Sequence, residues 1–413
     1  MPGLFSRFLF FVAPILVLLA PGTVLAQSGT DPEQRLLNTL KVFEDNIQET
    51  GLGMEAIPAI DYPKFVSVAD ASLVLERSDV VFVLETVHGV RIYPQPVLVW
   101  HEVVNDQVDD TRVTITYSPL TGSVVGFLGQ VEHYETHFGT TGMLLNNNLL
   151  LYDRATKSYW PQLLGTAISG PLLGQDLQSF SLLWTTWKRA KKVFPEAMVL
   201  STDTGFRRSY GRDPYGSYAR EGTYYDNNLV VYPVLNQDDR LPPKERILGV
   251  KIGEDMVAIR KNETASQGVA NLEAGFYPLA AIHDPDLDTL RVFDRNLGES
   301  TLSFHLLDGE IHDKETGSVW DKEGLATQGR LAGRRLRQVP AFDCFWFAWA
   351  AFYPGTGIYP WQDSLEDALS RPKEEEPESP ILSPGSPPPA PGTDSDAAYP
   401  MGDVIKEAEE LLQ

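Results

Sequence analysis

The feature that most constrains this chain is a stretch that it writes twice. Asp153, Thr156, Ser158 and Trp160 spell D-x-x-T-x-S-x-W, and Asp313, Thr316, Ser318 and Trp320 spell it again 160 residues later. The copies stay in step beyond the motif. Gly165, Ala167, Gly170, Leu172, Gly174 and Leu177 are echoed by Gly324, Ala326, Gly329, Leu331, Gly333 and Leu336. Ten matched positions at near-fixed spacing mark a duplicated unit, which restricts the fold to related halves around a shared interior. Each copy reads as a hairpin. An apolar strand leads to an Asp whose carboxylate accepts backbone N–H groups of the turn, hydroxyls fill the remaining turn donors, and the Trp resumes the strand. Gly170-Pro171 and Gly174 then mark a second tight turn. Residues kept by both copies are read as scaffold, so function is sought where one copy alone keeps polar residues.

The duplication extends to flanking elements. Val80–Leu84 and Val90–Tyr93 form a hairpin around His88-Gly89, echoed by Ile247–Ile252 and Met256–Ile259 around Glu254-Asp255. Thr111–Tyr117 and Ser123–Phe127 alternate like strands about the turn Ser118–Gly122, and Thr289–Phe293 with Thr301–Phe304 is read as their second copy. Each half closes on a tryptophan pair, Trp184-x-x-Trp187 and Trp346-x-x-Trp349, whose spacing predicts paired indoles on one helix face. The expected fold is therefore β-rich α+β, with two tandem related halves packed pseudo-symmetrically and each closed by a Trp-rich helix. The halves are placed at residues 64–205 and 229–360. A helix and lead-in over 27–63 precede them, and a Tyr/Arg-rich linker over 206–228 joins them.

Residues 1–26 read as a secretory signal: Arg7 gives the positive start, Phe8–Ala20 the apolar run, and Val24-Leu25-Ala26 the cleavage site. An exported protein, periplasmic or extracellular, with no membrane span after cleavage is the expectation. The single cysteine, Cys344, excludes an intrachain disulfide. A formal net charge of −22 argues against nucleic acid as a partner. Residues 361–399 are rich in Pro, Ser and Glu and are expected to be disordered, and residues 400–413 to form a short helix able to contact a partner.

Several stretches are candidates for chemistry. Val97–Asp106 is read as a helix or helical turn that pairs His101 with Asn105 and Glu102 with Asp106, each at i, i+4. His101 would then serve as general base or metal ligand, set against a helix-capping role for the same residues. His133-x-x-x-His137 has the spacing of helical metal ligands but lacks a third ligand, so a polar loop is the default. Asp284-Pro285-Asp286-Leu287-Asp288 opens like a calcium loop without the downstream Gly and Glu. In the linker, Arg207, Arg208, Tyr210, Arg212 and Tyr215 suit an anion or a sugar, or a clamp between the halves. Asn262-Glu263-Thr264 is a glycosylation sequon, relevant only in a eukaryotic secretory pathway. No Gly-rich phosphate loop, G-x-S-x-G elbow or Cys–His pairing is present, so no cofactor is assigned.

Ile57–Asp61, Trp100–Asp106, the D-x-x-T-x-S-x-W hairpin, Gly211-Arg212-Asp213-Pro214-Tyr215 and Phe345–Ala350 together resemble the prokaryotic domain of unknown function 3179 family over roughly residues 55–360. The resemblance implies relationship without an established activity. It also implies Cys-Pro-Leu-Cys-Gly where this chain has Ser118-Pro119-Leu120-Thr121-Gly122. Thiol or soft-metal chemistry at that turn would be lost here, because unperturbed hydroxyls do neither. The reading that follows is an exported soluble protein that binds a small ligand or a protein through Asn105, Ser118, Thr121 and the linker residues. The rival is a metal-dependent enzyme using His101 with Glu102 or Asp106, with His133 and His137 as further metal candidates.

Overall fold

The repeated hairpin shows why those residue types are kept. In the computed structural model, which describes residues 31–360, Asp153 Oδ1 accepts the Thr156 N–H at 2.6 Å. Its Oδ2 accepts Thr156 Oγ1 (2.7 Å), the Ser158 N–H (3.1 Å) and the Trp160 indole N–H (3.1 Å). Asp313 repeats all four bonds with Thr316, Ser318 and Trp320 at 2.5, 2.9, 3.1 and 2.9 Å. The serine then pins the next turn, since Ser158 Oγ accepts the Leu172 N–H and Ser318 Oγ the Leu331 N–H, both at 3.0 Å. Glycine is required at the crossing. Gly170 and Gly329 have φ of +88° and +90°, and a Cβ there would fall 2.6 and 2.8 Å from the Cα of Ser158 and Ser318. The expected leader, the Pro-rich segment and the C-terminal helix lie outside the described residues.

Around these hairpins each half repeats one topology. In the first, Val80–Thr86 and Gly89–Pro94 pair antiparallel. Leu183–Thr186 pairs with the outer side of Val80–Thr86. The chain crosses over through the helix Trp187–Val193 and returns as Met198–Leu200, parallel to Gly89–Pro94. In the second half Arg246–Ile252 and Asp255–Arg260 form the hairpin, and Phe342–Phe345 the outer strand. Helix Trp346–Phe352 is the crossover, and Gly357–Tyr359 the parallel return. After each hairpin comes a short helix, Gln95–Leu98 or Lys261–Gln267, and then a three-stranded antiparallel meander. The meanders are Val103–Val108, Thr111–Ser118 and Ser123–Leu128 in one half, and Val269–Ala274, Tyr277–Asp284 and Thr289–Asp294 in the other.

The halves join by exchanging turns. The Thr121 carbonyl accepts the Phe345 N–H of the second half at 2.9 Å, while Thr185 Oγ1 of the first half donates to the Leu287 carbonyl. Leu287 is fully buried against Trp187 and Val81, and Phe345 in a cluster with Leu120 and Val125. That larger cluster draws buried side chains from both halves, so the apolar interior is continuous across the junction.

Three expectations are corrected. The helix read over Val97–Asp106 is confined to Gln95–Leu98 and a following turn. Glu102 takes φ +58°, and β-branched Val103-Val104 start a strand, so His101/Asn105 and Glu102/Asp106 are not helical pairs. Trp184 sits on the strand Leu183–Thr186, so only Trp187 belongs to the helix of the first half, whereas Trp346 and Trp349 share theirs. The second copy of Thr111–Tyr117 is Tyr277–Asp284 rather than Thr289–Phe293. The calcium-like Asp284–Asp288 segment is thus the second copy of the Ser118–Gly122 turn. Its carboxylates are taken by cations: Lys322 reaches Asp284 and Asp286, Arg291 Asp284, and Arg189 Asp288.

Candidate functional site

The linker folds over the first half and is tied to it by polar groups that the short helix Gln95–Leu98 and the Val103–Ser118 hairpin present. Gln95, the first residue of that helix, donates through Nε2 to Asp213 Oδ2 at 2.7 Å. Tyr225 donates its hydroxyl to the same oxygen at 2.8 Å, and the Tyr215 N–H reaches Oδ1 at 2.8 Å. The Trp100 indole donates to the Arg212 carbonyl at 3.0 Å. Tyr117 and Tyr218 share a hydroxyl hydrogen bond at 3.0 Å, and Tyr218 stacks on Tyr225 with ring centroids 3.8 Å apart. Burial pushes the Asp213 carboxyl up to about 6, against the three hydrogen bonds that favour its charged form. Gln95, Asp213 and Tyr218 form the floor of a cleft of about 700 Å³ whose rim carries Glu76, Asp79, Tyr210, Arg212 and Arg220.

His101 is buried and fully bonded. Its Nδ1 lies 2.8 Å from the Pro58 carbonyl, which only accepts, so Nδ1 carries the proton and Nε2 accepts from the Tyr210 hydroxyl at 2.7 Å. Tyr210 in turn accepts from Thr204 at 2.5 Å. Desolvation lowers the imidazole to about 4, despite the Pro58 bond, and the nearby Arg208 charge acts in the same direction. Asp106 is committed to Arg91 at 2.6 Å, Tyr93 at 2.6 Å and the Gln107 N–H. Asn105 holds Asp61, Thr114 and both backbone groups of Phe138.

Glu102 differs from these neighbours. It sits in the left-handed region that disfavours side chains, it is buried, and its carboxyl has no hydrogen-bond partner among the described residues. Desolvation alone raises it to about 8, so it is a neutral acid at pH 7.

Ser118 and Thr121 are buried within the turn. Ser118 Oγ accepts the Leu149 N–H at 3.3 Å, and Thr121 Oγ1 bonds Ser123 at 2.8 Å and Asn148 at 3.0 Å. The Thr121 hydroxyl thus joins a network with Ser123, Asn148 and Gln162. In the linker, Tyr210 and Arg212 line the cleft, and Tyr215 packs inward against Tyr224 and Tyr225. Arg207 is exposed, and Arg208 Nε is buried without a partner. His133 is exposed beside Tyr134, and His137 lies 3.8 Å from Asp61 on another segment. The His133–His137 stretch is a turn and short strand instead of a helix. Among the described residues no group of three or more His, Cys, Asp or Glu is placed to hold a metal.

Gln95 and Asp213 lie outside the candidate residues drawn from the sequence, whereas Tyr218 and Arg220 belong to its Tyr/Arg-rich linker. Asp213 stood inside the Gly-Arg-Asp-Pro-Tyr motif and was passed over for its arginine neighbour. Gln95 carried no signal, because only the chain crossing brings it to a residue 118 positions away.

Among the described residues no helix is long and apolar enough to cross a membrane. No curated protein and no solved structure matches the chain. The family described as protein of unknown function (DUF3179) matches residues 54–356, a span holding both halves, the linker and the cleft. The chain belongs to that family.

Proposed function

We propose that the chain is an exported binding protein whose linker cleft holds an uncharged, hydroxyl-rich small molecule. The observation that carries this reading is the lining of the cleft, where the half-buried Asp213 carboxylate, the Gln95 amide and the Tyr210 and Tyr218 side chains converge. Such convergent polar groups against aromatic walls suit a ligand that both donates and accepts hydrogen bonds and offers an apolar face. At the rim Glu76 and Asp79 are balanced by Arg212 and Arg220, which suits an uncharged ligand. The leader-like residues 1–26 support export.

The enzyme reading loses the partners first assigned to it, since His101 is saturated and Asp106 is ion-paired. One observation still favours it. Glu102 is a buried, unpartnered carboxyl on strained backbone, as general acids often are.

Calorimetric titration of the full chain with a panel of neutral mono- and oligosaccharides tests the binding reading. Binding with a Kd of about 1 mM or tighter is expected, weakened by about tenfold or more in Asp213→Asn, measured at a temperature where this variant, which loses an acceptor for one of three donors, is still folded. No binding across the panel, or binding indifferent to Asp213→Asn, refutes it.

A further inference from the structure

The duplication copied the cleft as well as the scaffold. Asp79 and Glu245 hold equivalent places, because their carbonyls receive the first N–H of the closing helices, from Trp187 at 2.8 Å and Trp346 at 2.9 Å. Counting one residue either side, Ser78 answers to Lys244 and Val80 to Arg246, and these last two begin the equivalent strands. Gln95 and Lys261 each open the short helix after the hairpin. Ser78, Asp79, Val80 and Gln95 line the linker cleft, and Lys244, Glu245, Arg246 and Lys261 line a second cavity of about 530 Å³. The stacked pair Tyr218–Tyr225 lends one ring to each. Position has been kept while charge has changed: a hydroxyl, an apolar group and an amide became two lysines and an arginine.

The carboxylates that reach these cations leave them short. Arg246 and Lys261 share one oxygen, Asp343 Oδ1. Lys244 is 7% exposed and has no ion pair among the described residues. Its ammonium donates to the Tyr224 carbonyl and to Asn227 Oδ1 at 3.1 Å, and lies 3.1 Å from the Tyr224 ring centre. The other acids on the lining are engaged: Asp226 by the Gly222 and Thr223 N–H groups, Glu245 by Arg260 and Asp288 by Arg189. The Arg246 guanidinium carbon lies 3.7 Å from the Trp184 ring centre, a contact that restricts the guanidinium before any ligand arrives. Desolvation pulls Lys244 down to about 7, and the nearby Asp226 charge offsets only part of that.

We propose that this second cavity binds a small oxyanion, a phosphate- or carboxylate-bearing molecule held by Lys244, Arg246 and Lys261. The lining sets Arg189, Lys244, Arg246 and Lys261 against Asp226, Glu245 and Asp288, a cationic excess in a chain of net charge −22 that favours such a ligand. The protein then carries two related pockets of different preference, one between the first half and the linker and one where the two halves and the linker meet.

The test is titration of the full chain with inorganic pyrophosphate and, separately, citrate in low-salt buffer, with thermal unfolding alongside. At least one probe should bind one-to-one, raise the melting temperature, and weaken as salt is added. Lys244→Gln should weaken binding about tenfold or more and Lys244→Arg much less, while the neutral-ligand titration of the linker cleft stays unchanged. If Lys244→Gln does not fold, the stabilisation of wild type by the probes and the Lys244→Arg titration still decide. Absence of binding by both probes at millimolar concentration, or binding that Lys244→Gln leaves intact, overturns the proposal.

Discussion

Replacing Glu102 by glutamine should make the protein more stable, and by an amount that depends on pH. Unfolded, the carboxyl ionises near 4.5; folded, burial without a partner raises it to about 8. A group whose folded value is raised helps only below its unfolded value, and the native state loses relative stability as pH climbs from 4.5 to 8. Within that window the unfolded chain releases a proton that the native chain keeps, which costs about 1.4 kcal/mol per pH unit. The full cost, reached above about pH 8, is on the order of 5 kcal/mol. Glutamine keeps the shape and removes the ionisation, so the gap between Glu102→Gln and wild type should widen by about 3 kcal/mol from about pH 5.5 to about pH 7.5. Above about pH 8.5 it should level off. Urea denaturation of both proteins across that range measures it. Because the two chains share every other titrating group, those contributions cancel in the difference. A gap that is flat with pH would mean that Glu102 ionises in the fold, and the account of a neutral buried acid would fail.

Two further outcomes test the scaffold. Trp160→Ala or Trp320→Ala removes a buried indole and strands a bond to the hairpin carboxylate, so each should cost about 3–5 kcal/mol in chemical denaturation. A loss below about 1 kcal/mol would contradict the hairpin's role. His101→Gln should cost about 2 kcal/mol at neutral pH by breaking the bridge between Pro58 and Tyr210. Because the folded imidazole is depressed to about 4, wild type should also lose stability as pH falls from 6.5 towards 4, and the variant should lose less over that interval. A wild-type profile that His101→Gln leaves superimposable would show that the histidine charges freely.

The sequence and the fold agree most closely where interactions are local. The Asp–Thr–Ser–Trp hairpin closes within eight residues, so its chemistry is complete in the motif and the duplication displays it twice. The strand hairpins at Val80–Pro94 and Arg246–Arg260 are legible for the same reason. Legibility fails at Trp100–Asp106, where helical spacing of polar residues is real but a left-handed Glu102 ends the turn and starts a strand. It fails again in the pairing of the halves. Alternating strands of similar length admit more than one alignment, and only the hydrogen-bonded order of each meander makes Tyr277–Asp284 the counterpart of Thr111–Ser118.

What the chain alone determined is the duplicated β-rich framework and its membership of a family, because periodicity and turn chemistry act over a few residues. Which polar groups are spent on scaffold and which face a cavity was decided by tertiary structure. His101, Asn105 and Asp106 looked available and are saturated; Gln95, Asp213 and Lys244 looked ordinary and line cavities. The physical reason is that availability depends on partners supplied from far along the chain, and on the water that burial removes. Spacing along the sequence records neither.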